Sequence, residues 1–147
     1  MKRWIVTPLA LVMLFLSGAA LARDDRNRYS IEEAMGARAA KTKLDKGYSF
    51  QFGPEVEGKI LENHGEFRSN KKTNAFGKSD KEACDWVFLS AMISFQDRVT
   101  SSGGNAVVHI RSFYKKGDFY SATEFECGNG ALMAGVTFVG DVVTLEK

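Results

Sequence analysis

The sequence predicts an α+β domain, with an antiparallel sheet of about four strands, one long helix packed on a face and a short N-terminal helix. The long helix is indicated by residues 81–100, where apolar side chains recur at helical spacing: Cys84, Phe88, Ala91, Met92, Phe95 and Val99. The sheet is indicated by residues 106–145, where two alternating segments and a long apolar run are separated by turn sequences at 115–118 and 128–130. Consecutive strands joined by tight turns are typical of antiparallel pairing.

The first part of the predicted domain contains fewer apolar residues. Ser30 and Glu33 have the spacing of a helix capping box, and the Ala-rich segment that follows ends at Gly47, a typical stop residue. We therefore expect the short helix here. Residues 23–29 are polar and lack periodicity, which predicts a loose tail. Residues 48–52 alternate aromatic and polar side chains, which predicts a brief strand.

Residues 56–67 predict an interrupted strand. Val56 and Ile60 share one parity, whereas Leu61 and Phe67 share the other. Because side chains of a regular strand alternate strictly, this change predicts a bulge or break near residues 63–65. The following segment, residues 68–75, is polar and rich in loop formers, and we expect it to connect the strand to the long helix.

The N-terminal 22 residues have the features of an export signal. Lys2 and Arg3 precede an almost wholly apolar run, residues 4–16, and small residues follow up to Ala22. This order predicts a signal peptide over residues 1–22 with cleavage between Ala22 and Arg23. A transmembrane anchor is the alternative, but the run is shorter than a span needs. No cysteine lies directly after the run, at the position where a lipid would be attached, so we expect a periplasmic or secreted protein without a lipid anchor.

The remaining residues, 23–147, have a length that suits one domain with a real core. Removing Lys2 and Arg3 leaves 18 basic side chains against 18 acidic ones, so the formal net charge is zero. Nucleic-acid binding normally requires a clustered basic excess, and we expect no nucleic-acid partner.

Two cysteines remain, Cys84 and Cys127. An even pair in an exported chain predicts a disulfide, because exported proteins fold in an oxidising environment. Cys84 lies on the apolar stripe of the long helix, and Cys127 shares strand parity with Phe125. Both sulfurs are therefore expected between helix and sheet. Two buried free thiols are the alternative.

The sequence Gly77-Lys78-Ser79 resembles the end of a phosphate-binding loop. Such a loop needs a first glycine five positions before Gly77, at position 72, and that residue is Lys72. Ser79 with Glu82 three residues later instead predicts a capping box for the long helix. We therefore expect no nucleotide binding and no cofactor.

Catalytic and metal-binding patterns are weak in this sequence. Glu124 and Glu126 share a strand face, and with a histidine they would form an acid/base site of a hydrolytic enzyme. The alternative metal site would use both cysteines together with His64 and His109, but their spacing contains no paired-ligand motif. No catalytic residue, metal ligand or cofactor-binding residue is assigned.

The stretch from Lys71 to Gly140 resembles a family of small exported bacterial proteins, some of which carry the label "excinuclease ATPase subunit". The matching segments are KKTNAFGKSDKEACDW, FLSA, GGNAVVHIRSFYKK, SATEFECG and ALMAGVTFVGD. The failed phosphate loop and the signal peptide argue that this label is misapplied. The resemblance implies export but no defined biochemical activity.

A more distant similarity concerns residues 104–108 and 127–132, which are similar to the Rcs outer-membrane stress-sensor lipoprotein and to YbjQ-type domains, sometimes called heavy-metal binding. This similarity implies only a related architecture. We therefore expect an exported, non-enzymatic domain that acts through contacts with a protein partner, in envelope stress or assembly. A metal-binding module and a hydrolytic enzyme remain the alternatives.

Overall fold

The computed structural model describes residues 23–147. The expected signal peptide, residues 1–22, and thus the Ala22 side of the cleavage site, lie outside the described residues. The elements in chain order are β1 (Asp24–Ser30), α1 (Ile31–Gly36), α2 (Arg38–Lys43), β2 (Ser49–Phe52), β3 (Ile60–Asn74), α3 (Asp80–Ser102), β4 (Ala106–Ser112), β5 (Glu124–Gly130) and β6 (Met133–Leu145). A 3₁₀ turn, Tyr114–Lys116, lies between β4 and β5.

The six strands form one sheet in which β6 is the branching strand. Along one edge, β6 pairs with β3; along the other, it pairs first with β5 and then with β4. β1 extends the sheet beyond β5, and β2 extends it beyond β4. The sheet curls into a half-barrel, and α3 packs against β3, β6, β4 and β5. The α+β class and the single long helix are therefore confirmed.

The sequence predicts about four strands that are all antiparallel. The described sheet instead has six strands, and one of its strand pairs is parallel. β2 runs parallel to β4. A parallel pair needs a long crossover connection, and residues 53–105, which include β3 and α3, supply it. Residues 24–29, assigned above to a loose tail, instead form most of β1, which pairs with β5 along its full length. The charged, exposed side chains of β1 suit an edge strand, where they discourage further pairing.

β3 contains the bulge expected near residues 63–65. The ladder to β6 pairs Asn63 with Val143 and Gly65 with Val142, so His64 is the extra residue. Gly65 has φ +107°, and its N–H donates to Asn63 Oδ1 at 2.8 Å. Such a positive φ is readily adopted by glycine.

The second half of β3 corrects the loop expected at residues 68–75. Strand pairing continues to Asn74. Phe67 packs against Phe95 of α3 with ring centroids 5.8 Å apart, and buried Ser69 donates from Oγ to the Ala91 carbonyl at 3.2 Å. The outward-facing side chains are polar because this edge of the sheet faces solvent. Because a loop has the same polar composition, the sequence alone does not indicate a strand here.

The expected short N-terminal helix is present as two pieces. α1 ends at Gly36, and Ala37 adopts an extended conformation (φ −61°, ψ 143°) before α2 begins. Glycine is a poor helix former, which favours an interruption at this point. The Oγ of Ser30 accepts a hydrogen bond from the Glu33 N–H at 3.2 Å and so caps α1.

The core lies between α3 and the concave face of the sheet. Every residue of the apolar stripe of α3 is fully buried. Phe88 is at the centre of an aromatic cluster, with ring centroids 4.7 Å from Phe125, 5.6 Å from Phe138 and 6.0 Å from Phe52. Aromatic pairs at these separations add to the stabilisation from burial alone.

The disulfide between Cys84 and Cys127 is confirmed. Its Cα atoms lie 6.1 Å apart, and both residues are fully buried. The bond joins the N-terminal part of α3 to β5 through the core. The amide of buried Asn129 donates to Cys84 Sγ at 3.2 Å, which supplies the sulfur with a polar neighbour.

Candidate functional site

A surface groove of about 330 Å³ lies where α1 and α2 pack beside the N-terminal half of α3. Its floor consists mainly of small apolar side chains, because alanines from both short helices face α3. Ten residues line the groove: Ala34, Ala37, Ala39, Ala40, Ser79, Lys81, Glu82, Asp85, Trp86 and Leu89. Alanine side chains leave space that larger residues would fill, so this groove is a consequence of the Ala-rich sequence of α1 and α2.

Trp86 forms the apolar wall of the groove. It lies on α3 and remains 48% exposed, whereas Leu89 one turn later is almost fully buried. Tryptophan carries a large apolar surface and an N–H donor, and such residues dominate the energy of many protein interfaces. A half-exposed tryptophan beside an apolar floor is therefore a feature of a binding surface.

The rim of the groove is charged. The Nζ of Lys81 lies 2.8 Å from Asp85 Oδ2 and 3.3 Å from Glu33 Oε2, which links α3 to α1. The hydrogen bond from Lys81 to Asp85 raises the pKa of Lys81 above its usual value of 10.5; partial burial opposes this shift, and Glu33 adds to it. Because the folded pKa is raised, this link is complete below pH 10.5 and is lost as the pH rises through the folded value.

The rim has an acidic excess. Glu33, Glu82 and Asp85 carry three negative charges against the single positive charge of Lys81. Moreover, Asp85 Oδ1 is buried and has no hydrogen-bond partner among residues 23–147. A buried acceptor without a partner is unfavourable. The accessible oxygen of this carboxylate is Oδ2, which binds Lys81. The groove therefore suits a ligand that combines an apolar group with a positive charge or an N–H donor.

The residues of the phosphate-loop-like sequence have other contacts. Ser79 is the N-cap of α3: its Oγ accepts a hydrogen bond from the Glu82 N–H at 3.1 Å. The Nζ of Lys78 donates to the Asn74 carbonyl at 2.8 Å, and Gly77 has φ +73° in the turn between them. The Lys78 amine and the Ser79 hydroxyl thus stabilise the entry into α3.

The candidate acid residues do not meet a histidine in the described contacts. Glu126 is buried beside Arg28, with 3.6 Å between Oε2 and Nε, whereas Glu124 is exposed. The imidazole of His109 instead bonds Asp141 of β6, with Nδ1 and Oδ2 2.9 Å apart. His109 lies at an irregularity of β4 with φ +53°, which turns its side chain out of the regular alternation.

The four candidate metal ligands are distributed between separate places. Both cysteine sulfurs are bonded to each other, His64 Nε2 contacts Thr144 Oγ1 at 2.8 Å, and His109 pairs with Asp141. In the part of the chain that the structure describes, no group of three or more His, Cys, Asp or Glu side chains is arranged to hold a metal ion. None of the helices in residues 23–147 combines the length and apolarity needed to cross a bilayer.

Comparison with family models, with curated proteins and with solved structures finds no match to this chain.

Proposed function

We propose that this domain is an exported, non-enzymatic protein-binding module, and that its groove receives an extended segment of a partner protein in envelope stress or assembly. The observation that carries the proposal is the groove itself: a floor of alanines beside a half-exposed Trp86. The disulfide is compatible with an oxidising compartment outside the cytoplasm.

The chemistry of the groove defines the partner segment. Its floor accepts one apolar side chain of moderate size, and Trp86 covers that side chain from one side. The acidic excess of the rim favours a neighbouring lysine or arginine, because the carboxylates of Glu33, Glu82 and Asp85 outnumber the single amine of Lys81. We therefore expect an apolar residue followed closely by a basic one. Hydrogen bonds between charged groups are stronger than neutral ones, so these carboxylates add selectivity for a basic segment.

A library of random peptides displayed on phage tests this proposal without knowledge of the natural partner. We expect selection on the wild-type protein to enrich peptides in which an apolar residue lies beside a lysine or arginine. Trp86→Ala should weaken binding of a selected peptide about 30-fold, as expected when an interface tryptophan is truncated. Asp85→Asn, which keeps the shape but removes the charge, should weaken it about tenfold.

The matched control is Tyr120→Ala, because Tyr120 is an aromatic residue with 46% exposure that does not line the groove. Its truncation should leave peptide affinity unchanged. Selection that enriches no common pattern, or peptides that bind Trp86→Ala and the wild type equally well, would refute the assignment of the groove. Thermal unfolding of each variant should confirm that it is folded.

A further inference from the structure

A second exposed apolar surface lies at one end of the molecule, where two turns meet. It consists of Phe76 in the turn before α3, Leu132 in the turn between β5 and β6, and Met133 at the start of β6, which are 78%, 65% and 46% exposed. We call these three residues the apolar tip. The two turns are joined, because the Ala75 N–H donates to the Leu132 carbonyl at 2.8 Å. Three large apolar side chains at adjoining turns form an exposed patch of the kind that marks protein or membrane contacts.

The turn that carries Phe76 is held in place by hydrogen bonds. The Phe76 N–H donates to Asn74 Oδ1 at 2.7 Å, and the Lys78 N–H donates to the Ala75 carbonyl at 3.1 Å. Asn74 also pairs with Met133 in the ladder between β3 and β6. The exposure of Phe76 is therefore a property of a bonded turn that is attached to the sheet.

Two lysines flank the apolar tip. Lys72 pairs with Gly135 in the ladder, two residues beyond Met133, and Lys78 lies two residues after Phe76. Neither lysine has a carboxylate partner within residues 23–147. The nearby carboxylates are engaged in ion pairs: Asp80 and Asp25 share Arg23, and Asp24 pairs with Lys115. The apolar tip thus combines exposed apolar side chains with lysines that have no carboxylate partner within residues 23–147. Such a surface is complementary to one that has negative charges above an apolar interior.

The start of the described chain lies at the same end. Asp24 pairs with Gly130, next to the β5–β6 turn, and Arg23 contacts the N-terminal turn of α3 through Asp80. The described chain therefore begins at the same end of the domain as the apolar tip.

We propose that the apolar tip is a membrane-docking surface that inserts Phe76, Leu132 and Met133 into the interface of an anionic bilayer, with Lys72 and Lys78 at the level of the headgroups. Aromatic and aliphatic residues partition into this region, and each nearby lysine is attracted by anionic lipids. The tip is a small surface on two turns, which suits shallow insertion. This proposal does not depend on the groove, because none of the residues of the apolar tip lines it.

Vesicle sedimentation tests the proposal with protein made from the full chain and verified to begin at Arg23. We expect binding to vesicles of phosphatidylcholine with phosphatidylglycerol, weaker binding to phosphatidylcholine alone, and a decrease as salt increases. Replacing the three apolar residues by serine should weaken binding at least about tenfold, because their apolar surface no longer leaves water. Phe76→Ser alone, at the most exposed of the three positions, should also weaken binding and carries the least risk to folding. Lys72→Gln should weaken binding to the anionic vesicles only.

Leu61→Ser is the matched control, because Leu61 is 56% exposed and lies near the opposite end of the β3–β6 ladder. Its binding should equal that of the wild type. The proposal is overturned if the wild type does not bind anionic vesicles, or if Phe76→Ser and the triple variant bind as the wild type does. It is equally overturned if the triple serine variant abolishes a concentration-dependent dimer while vesicle binding is absent, since the tip would then contact a second copy of this chain.

Discussion

Reduction of the disulfide between Cys84 and Cys127 is expected to lower the free energy of unfolding by about 4 kcal/mol. The bond closes a loop with a sequence separation of 43, so it removes many conformations from the unfolded chain. A domain of this size is usually stable by about 5–15 kcal/mol, so the loss is a large share of the total. Both cysteines are fully buried, so native protein should resist reduction until it opens.

Urea unfolding of the wild-type protein, with and without a reducing agent present throughout, measures this contribution. Comparing one sequence in two redox states avoids the cavity that a substitution would create. The double variant Cys84→Ala/Cys127→Ala is the control, because its unfolding should not respond to the reducing agent. Coincident unfolding curves for oxidised and reduced wild type would contradict the expected stabilisation.

Phe88→Ala is expected to lower the free energy of unfolding by about 3–5 kcal/mol. Phe88 is fully buried and contacts three other rings of the aromatic cluster, so its truncation leaves a cavity between α3 and the sheet. The matched substitution is Phe76→Ala, at a position that is 78% exposed, which should change stability by less than about 0.5 kcal/mol. Equal losses at both positions, measured by urea unfolding of the oxidised proteins, would contradict the described core.

The sequence predicts those parts of the fold in which buried side chains recur at a regular spacing along the chain. The stripe of α3 follows helical spacing because one face contacts the sheet throughout. The bulge of β3 was visible as a change of parity, and the disulfide as an even pair of cysteines on inward-facing positions. In each case, the physical constraint acts on consecutive or regularly spaced residues.

The strands that the sequence did not reveal are edge strands. β1 and the second half of β3 each pair on one side only in the described sheet, and their exposed faces carry charged residues. Such a composition is also that of a loop, so periodicity alone does not separate the two. The parallel pairing of β2 with β4 depends on the path of the intervening chain, which local sequence does not encode.

The groove was not predicted because it results from tertiary packing. Its floor consists of alanines, which in the sequence indicate only helix propensity. Trp86 lies among the core residues of α3 in sequence, and its exposure depends on how far α1 and α2 extend across that helix. The available signal was a tryptophan in the second turn of a capped helix.

The intrinsic fluorescence of Trp86 tests the central claim of a protein-binding groove most directly. The sequence contains two tryptophans, Trp4 and Trp86, so Trp86 is the sole one in protein that begins at Arg23. Adding a peptide selected on the wild type should shift the emission to shorter wavelength in a saturable manner, because the peptide removes the indole from water. In Ala37→Leu, whose added side chain fills the floor at an exposed position, the same peptide should give no saturable shift. Unchanged wild-type emission at saturating peptide, or equal shifts in both proteins, would contradict binding in this groove.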